Sequence, residues 1–284
     1  MNLSFKDNKT DGKLDITCNN DGFDRLFFSR DVKDKLYTIA WNKGKTQKVI
    51  IDEIEYDFPA NSILPLVVNQ SFRFENSEDI IAWQFNRDFY CIVDHDQEVS
   101  CVGFIFYGTS QTMFISLDEK ETDKVTSLLN VFKDEFETAD TIQGEMLRML
   151  LVRLIITITR LAKQQYITTG DKDDSKFNLY REYNIMVEKN YRTQHEVQFY
   201  ASALNKSPKT LANVFGLYGK KTPLQIIQER VIAEAKRLLY YTEKSIKEIA
   251  IEIGFEDTSH FSRFFKKQTS FTPTEFKNNI KKPV

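Results

Sequence analysis

Apolar and polar residues follow two different rhythms along this chain. From about Leu36 to Ile115 the runs KLYTIAW, KVIIDEIEYDF, SILPLVV, IIAWQFN, VSCVGFIFYG and TMFISL are dense in β-branched and aromatic residues. Turn formers separate them at Lys43-Gly44, Pro59-Ala60-Asn61 and Gly108-Thr109. Short strands at this spacing predict a small antiparallel barrel or sandwich. From Leu117 the period becomes helical. Val125, Leu128, Leu129 and Phe132 recur with Phe136 one turn on, and Thr138-Ala139-Asp140 ends that helix. The next helix carries Ile142, Met146, Met149, Leu150, Leu154, Ile158 and Leu161 on one side, and Leu147, Leu151 and Ile155 widen the apolar surface. Such a helix needs cover on more than one side, from its own core or from a second copy of the chain.

Residues 168–176 contain no apolar side chain and read as an exposed linker. Beyond them a pattern occurs twice. Val197, Tyr200, Ala201 and Leu204 lie at i, i+3, i+4, i+7, and so do Ile246, Ile249, Ala250 and Ile253. Each set is followed by a residue tolerant of positive φ, Asn205 or Gly254. A second helix then opens. Ser207 with Pro208 starts the first, Asp257 or Thr258 caps the other, and they bury Leu211, Val214, Phe215 and Phe261, Phe264, Phe265. Helix, tight turn, helix is the geometry that places a second helix in a DNA major groove; the bland alternative is a small helical bundle. Between the copies Leu224, Ile227, Val231, Ala235 and Leu238 share one helix face. Its eighteen or so residues span roughly 27 Å, loosely matching the ~34 Å between successive major-groove openings.

Charge sharpens this picture. The net charge of −2 hides an asymmetry: residues 1–175 hold 20 Lys+Arg against 30 Asp+Glu (net −10), and residues 176–284 hold 19 against 11 (net +8). A basic C-terminal half points to a polyanion. The three cysteines, Cys18, Cys91 and Cys101, lack metal-ligand spacing and fit reduced thiols. The start, MNLSFKDNKTDGKLD, has no apolar signal core, and residues 149–158, interrupted by Arg153, are too few to span a bilayer. The expected location is the cytoplasm, away from membranes.

The stretch SIKEIAIEIGFEDTSHFSRFFKKQTSFTPTEFK, residues 245–277, resembles the second helix-turn-helix of AraC/XylS transcription regulators. The pattern I-A-x-x-x-G-F, then S-x-F-x-R-x-F-K, then T-P-x-x-F-K carries the likeness. LNKSPKTLANVF and RVIAEAKRLL resemble the family's first unit and joining helix. Two departures matter: Ser270 stands where the family usually has Gly, and Ala212, Asn213 and Gly216 occupy positions that are often basic or longer. The first unit is therefore expected to read bases less strongly than the second. The N-terminal half resembles the family's cupin-like sensor domain in strand pattern and position, with no ligand motif to transfer.

The resemblance implies an α+β chain of two domains: residues 1–116 a cupin-like β-barrel for sensing or assembly, 117–167 helices for dimerisation, 168–176 linker, and 177–284 an all-α tandem helix-turn-helix unit. The implied partners are double-stranded DNA and a second copy in a homodimer, with a small-molecule effector and RNA polymerase as further candidates. Thr258, Ser259, Ser262 and Arg263 are the implied base contacts of the second unit, and Lys209, Ala212 and Asn213 face outward in the first. Arg263 suits guanine O6 and N7, Asn213 adenine. Lys206, Lys220, Lys221, His260, Lys266, Lys267 and Thr272 are the expected phosphate contacts, Thr272 because it opens a helix whose free N–H groups favour an anion.

The rival reading is a cupin-like metal enzyme fused to a helical domain. It needs clustered histidines, and the chain has His95, His195 and His260, with His95 alone in the β-rich part. His95 and its neighbours Asp94 and Asp96 cannot easily close a metal shell, because adjacent strand residues point to opposite faces. No phosphate-cradling glycine loop or nucleophile elbow is present. The sequence calls for no cofactor, no metal and no catalytic residue.

Overall fold

Strict alternation builds the first hairpin. Leu3, Phe5, Leu14 and Ile16 alternate with polar residues, so β1 (Asn2–Lys6) and β2 (Lys13–Cys18) pair antiparallel with Leu3 opposite Ile16 and Phe5 opposite Leu14. The computed structural model describes residues 2–7, 10–25, 36–52, 54–68, 70–92, 104–107, 112–166, 174–218 and 221–280. These divide into two compact units, Met1–Lys172 and Asp173–Val284.

In the first unit the remaining strands are β3 (Asp24–Arg25), β4 (Tyr37–Asn42), β5 (Gln47–Ile51), β6 (Ile54–Phe58), β7 (Ser62–Leu66), β8 (Phe72–Phe74), β9 (Ile80–Phe85) and β10 (Ile115–Ser116). They form a six-stranded sheet ordered β1-β2-β9-β4-β7-β10 and a four-stranded sheet ordered β3-β8-β5-β6, both antiparallel. The run read as KVIIDEIEYDF is a hairpin rather than one strand. Asp52 takes a left-handed φ of 48° there, and its carboxylate accepts from Ser71 N at 2.9 Å. Ala40, Val49, Ile51, Phe58, Leu64, Phe72, Phe74 and Ala82 from the two sheets share one core. Within the four-stranded sheet the Phe58–Phe74 and Phe72–Phe74 ring centroids lie 5.8 and 5.4 Å apart. Among the described residues this is a sandwich of two open sheets, not a closed barrel.

β4 is buried along its whole length, and β9 everywhere but at half-buried Gln84, because helices cover the other face of the larger sheet. These helices are α2 (Glu119–Glu137), capped by a reciprocal Asp118–Glu121 box, and α3 (Gln143–Tyr166). Trp83 of β9 meets Phe132 of α2 at 6.3 Å. The FIFY of the predicted VSCVGFIFYG strand instead forms one helical turn, α1 (Phe104–Tyr107). α3 buries Leu147, Leu150, Leu151, Leu154, Ile155, Ile158 and Leu161, while Ile142, Met146 and Met149 are exposed. His95 with Asp94 and Asp96, Cys101, Gly108-Thr109 and residues 168–173 of the predicted linker lie outside the described residues.

The second unit is all helix: α4 (Asp174–Asn190), α5 (Val197–Ala203), α6 (Pro208–Tyr218), α7 (Pro223–Tyr241), α8 (Ile246–Glu252), α9 (Thr258–Thr269) and α10 (Pro273–Ile280). Residues 174–176, read as the end of the linker, already belong to α4. A single core of Tyr183, Tyr200, Leu211, Phe215, Val231, Leu238, Ile249, Phe261 and Phe265, with their neighbours, joins all of α4 to α9. α7 runs through it with Ile227, Val231, Ala235 and Leu238 buried; Leu224, read on the same face, is 43% exposed.

Candidate nucleic-acid interface

Both helix-turn-helix units close their turns with the same backbone bonds. After α5, Asn205 adopts φ 53°, and Lys206 N donates to Ala201 O at 2.9 Å. After α8, Gly254 adopts φ 85°, and Phe255 N donates to Ala250 O at 2.9 Å. This is a left-handed C-terminal stop followed by a bond back to the last helical turn. The second turn then runs one residue longer before its cap. Gly254 has a further constraint, since a Cβ there would lie 2.2 Å from the Arg192 carbonyl oxygen.

The N-caps begin the outer helices. Ser207 Oγ accepts from Thr210 N at 3.0 Å, and the Asp257 carboxylate accepts from Ser259 N at 3.0 Å and His260 N at 3.2 Å. These bonds, with the Arg263 charge adding to them, hold the Asp257 carboxyl below its usual range. Counted from the caps, the two helices correspond position by position. Leu211, Val214 and Phe215 turn inward from α6, and Phe261 and Phe265 with half-buried Phe264 turn inward from α9. The opposite face of α6 presents Lys209, Ala212, Asn213, Gly216 and Leu217, all exposed. The same positions of α9 are Ser259, Ser262, Arg263, Lys266 and Lys267, of which only Ser262 is half-buried. Thr258, at the first helical position, is half-buried too, and His260 is exposed.

The expected phosphate contacts have unequal surroundings. Lys206 is exposed in the first turn, and Lys266 and Lys267 are exposed in the last turn of α9. Lys221 Nζ is held 2.6 Å from Glu229 Oε2, so its charge is already paired within the protein. Lys220 lies outside the described residues. Thr272 differs from its expectation: its N–H and hydroxyl both donate to Glu275 Oε2, at 2.7 and 2.8 Å. The carboxylate of its own helix occupies the place where an anion was expected. At α7 the matching box uses neutral Gln225 on Thr222.

A buried ionic cluster, not foreseen from the sequence, fixes α7 to α4. Glu234 is 2% exposed and takes bonds from Arg237 Nη2 and Arg192 Nη2, both at 2.7 Å. Arg230 grips Glu188 through two nitrogens, at 2.5 and 3.0 Å, and lies 3.7 Å from the Tyr191 ring centroid. Burial would raise the Glu234 carboxyl, but the bonds and charge of Arg237, with Arg230 and Arg192, hold it down at about 2. The spacing Arg230, Glu234, Arg237 along one helix face was the available signal.

Residues 200–279 match a family model described as a helix-turn-helix domain. An uncharacterized HTH-type transcriptional regulator in the cgkA 5′ region of Pseudoalteromonas carrageenovora is 34% identical over 96 residues, covering 34% of this chain and 57% of that protein. The HTH-type transcriptional activator RhaR of Enterobacter sp. (strain 638) is 22% identical over 159 residues, 56% of this chain and 55% of the relative. The raffinose operon transcriptional regulatory protein RafR of Pediococcus pentosaceus is 24% identical over 139 residues, 49% of each. The chain thus spans about half the length of the curated relatives it matches. Among solved structures, ToxT from Vibrio cholerae O395 aligns over 96% of this chain and 98% of its own at 16% identity, with a TM-score of 0.42. Residues 200–279 are a helix-turn-helix domain of the AraC/XylS type, as the motifs of residues 245–277 implied.

Proposed function

We propose that this protein is a sequence-specific DNA-binding transcription regulator whose C-terminal unit reads double-stranded DNA with α6 and α9. The observation carrying this reading is the pair of like-built outer helices on one joining helix, each turning an exposed face away from a shared core. Ser259, Ser262, Arg263, Lys209, Ala212 and Asn213 are the base-facing candidates, with half-buried Thr258 at the edge. Lys206, Lys266, Lys267 and His260 are the phosphate candidates, and Lys220 and Lys221 flank them. Thr272 drops from this set because Glu275 holds both of its donors.

For residues 1–116 we propose a cupin-like role in assembly. The packed interior between its sheets supports assembly over small-molecule sensing in that space. The outer side of α3, with Met149 69% exposed and Val152 and Ile156 half-buried beside it, is the proposed homodimer surface. RNA polymerase is a further candidate partner. Among the described residues no cluster of three His, Cys, Asp or Glu could hold a metal ion, and the named relatives are transcription regulators. Among them, too, no helix is long and apolar enough to cross a membrane.

Arg263→Ala tests base readout. Binding to a selected operator should weaken by about 1–3 kcal/mol, with a smaller loss on random DNA. Equal losses on both would make Arg263 a phosphate contact, and no binding by the wild type would end the proposal.

A further inference from the structure

The outer faces of α6 and α9 differ in kind. Where α9 carries Arg263, Lys266 and Lys267, α6 carries Asn213, Gly216 and Leu217. Gly216 lies in the last turn of α6, two residues before its end. Packing does not demand it, because a Cβ there would meet nothing within 4 Å. Leu217 is 53% exposed, and Ala212 is exposed on the other flank of the same face. A bare backbone between two apolar side chains allows close approach to a surface that offers apolar groups of its own. In the major groove that group is the thymine 5-methyl, and an asparagine amide at the centre of the face matches adenine N6 and N7.

We infer that the first helix-turn-helix reads A·T base pairs, with Ala212, Gly216 and Leu217 against thymine methyl groups and Asn213 on adenine. The second reads guanine through Arg263. This rests on the DNA-binding reading above and assigns the base class to each half of the site. It also gives a physical reason for weaker discrimination by the first unit, since methyl contacts are less selective than a bidentate guanidinium pair.

The test uses the full chain. Binding sites are selected from random duplex DNA, and deoxyuridine then replaces thymidine one position at a time, which removes the methyl and keeps base pairing. One half of the site should be A·T-rich, and each contacted methyl lost there should weaken binding about fourfold. Substitutions in the guanine-containing half should stay within about twofold. Leu217→Ala, an exposed change, should abolish part of the uracil sensitivity, whereas Arg263→Ala should leave it intact. Uracil tolerance throughout a tightly bound site, or G·C-rich selection in both halves, overturns this inference and leaves DNA binding standing. Failure to bind any duplex in a salt-dependent way overturns both.

Discussion

Two turn residues face the same left-handed backbone demand, one as glycine and one as serine. Gly254 has φ 85° and faces the Arg192 carbonyl so closely that a Cβ would lie 2.2 Å from it. The neighbouring backbone can yield only by moving the end of α4 away from the α8–α9 turn. Gly254→Ala should therefore lower the stability of the full chain by about 2–4 kcal/mol. Ser270 also sits in the left-handed region, at φ 67°, closing α9 with its N–H donated to Lys266 O at 2.9 Å. Its side chain is exposed, so removing the Cβ relieves strain without opening a cavity. Ser270→Gly should stabilise by about 0.5–1 kcal/mol. Urea midpoints followed by far-ultraviolet circular dichroism measure both changes, and a Gly254→Ala protein as stable as wild type would refute the close-approach argument.

At the scale of elements, α7 is held by a buried charge cluster as much as by its apolar stripe. Glu234 ionises more easily folded than unfolded, being held down at about 2. Its contribution is therefore complete above the ordinary carboxylate range and disappears as pH falls toward 2. The loss between roughly pH 4.5 and pH 2 is on the order of 3 kcal/mol. Glu234→Gln should remove this acid dependence and destabilise the protein at neutral pH by about 3–5 kcal/mol, since it takes the carboxylate away from Arg192 and Arg237. An unchanged acid profile in that variant would show that other carboxylates control it. The sequence announced α7 through Ile227, Val231, Ala235 and Leu238, but long polar side chains at helical spacing look like a solvated face until the partner helix is known. The helix-turn-helix elements were legible because Asn205, Gly254, Ser207 and Asp257 act locally. The first unit was less so. β1 and β2 alternate cleanly but sit in a polar segment, and the FIFY of α1 has strand composition overridden by its packing. Thr272 shows the same limit at the site: its sequence announces a helix start, and only the structure reveals Glu275 upon it.

The whole molecule joins an acidic N-terminal half to a basic C-terminal one, and the chain divides into its two compact units, Met1–Lys172 and Asp173–Val284, where the charge reverses. The C-terminal unit has its own core from α4 to α9, so a fragment beginning at Asp174, the first residue of α4, should fold alone as a monomer and bind DNA. Starting at Phe177 would cut into that helix. Its affinity should fall steeply with salt because bound lysines displace condensed counterions. With Lys206, Lys266 and Lys267 on phosphates, the slope of log affinity against log salt should be about −3. The N-terminal fragment ending at Tyr166 should stay folded and leave DNA alone, its charge being of the wrong sign. It should dimerise through Met149, Val152 and Ile156 of α3, where an exposed apolar strip lies on a helix whose other face is already buried. The full chain should then hold paired sites more tightly than the C-terminal fragment, because tethering makes the second contact intramolecular. Light scattering on both fragments and titrations at several salt concentrations decide these points separately. A Met149→Lys chain that remains dimeric would move the interface away from α3, a monomeric N-terminal fragment at micromolar concentration would remove it, and a folded C-terminal fragment with flat salt dependence would take away the electrostatic basis of DNA binding.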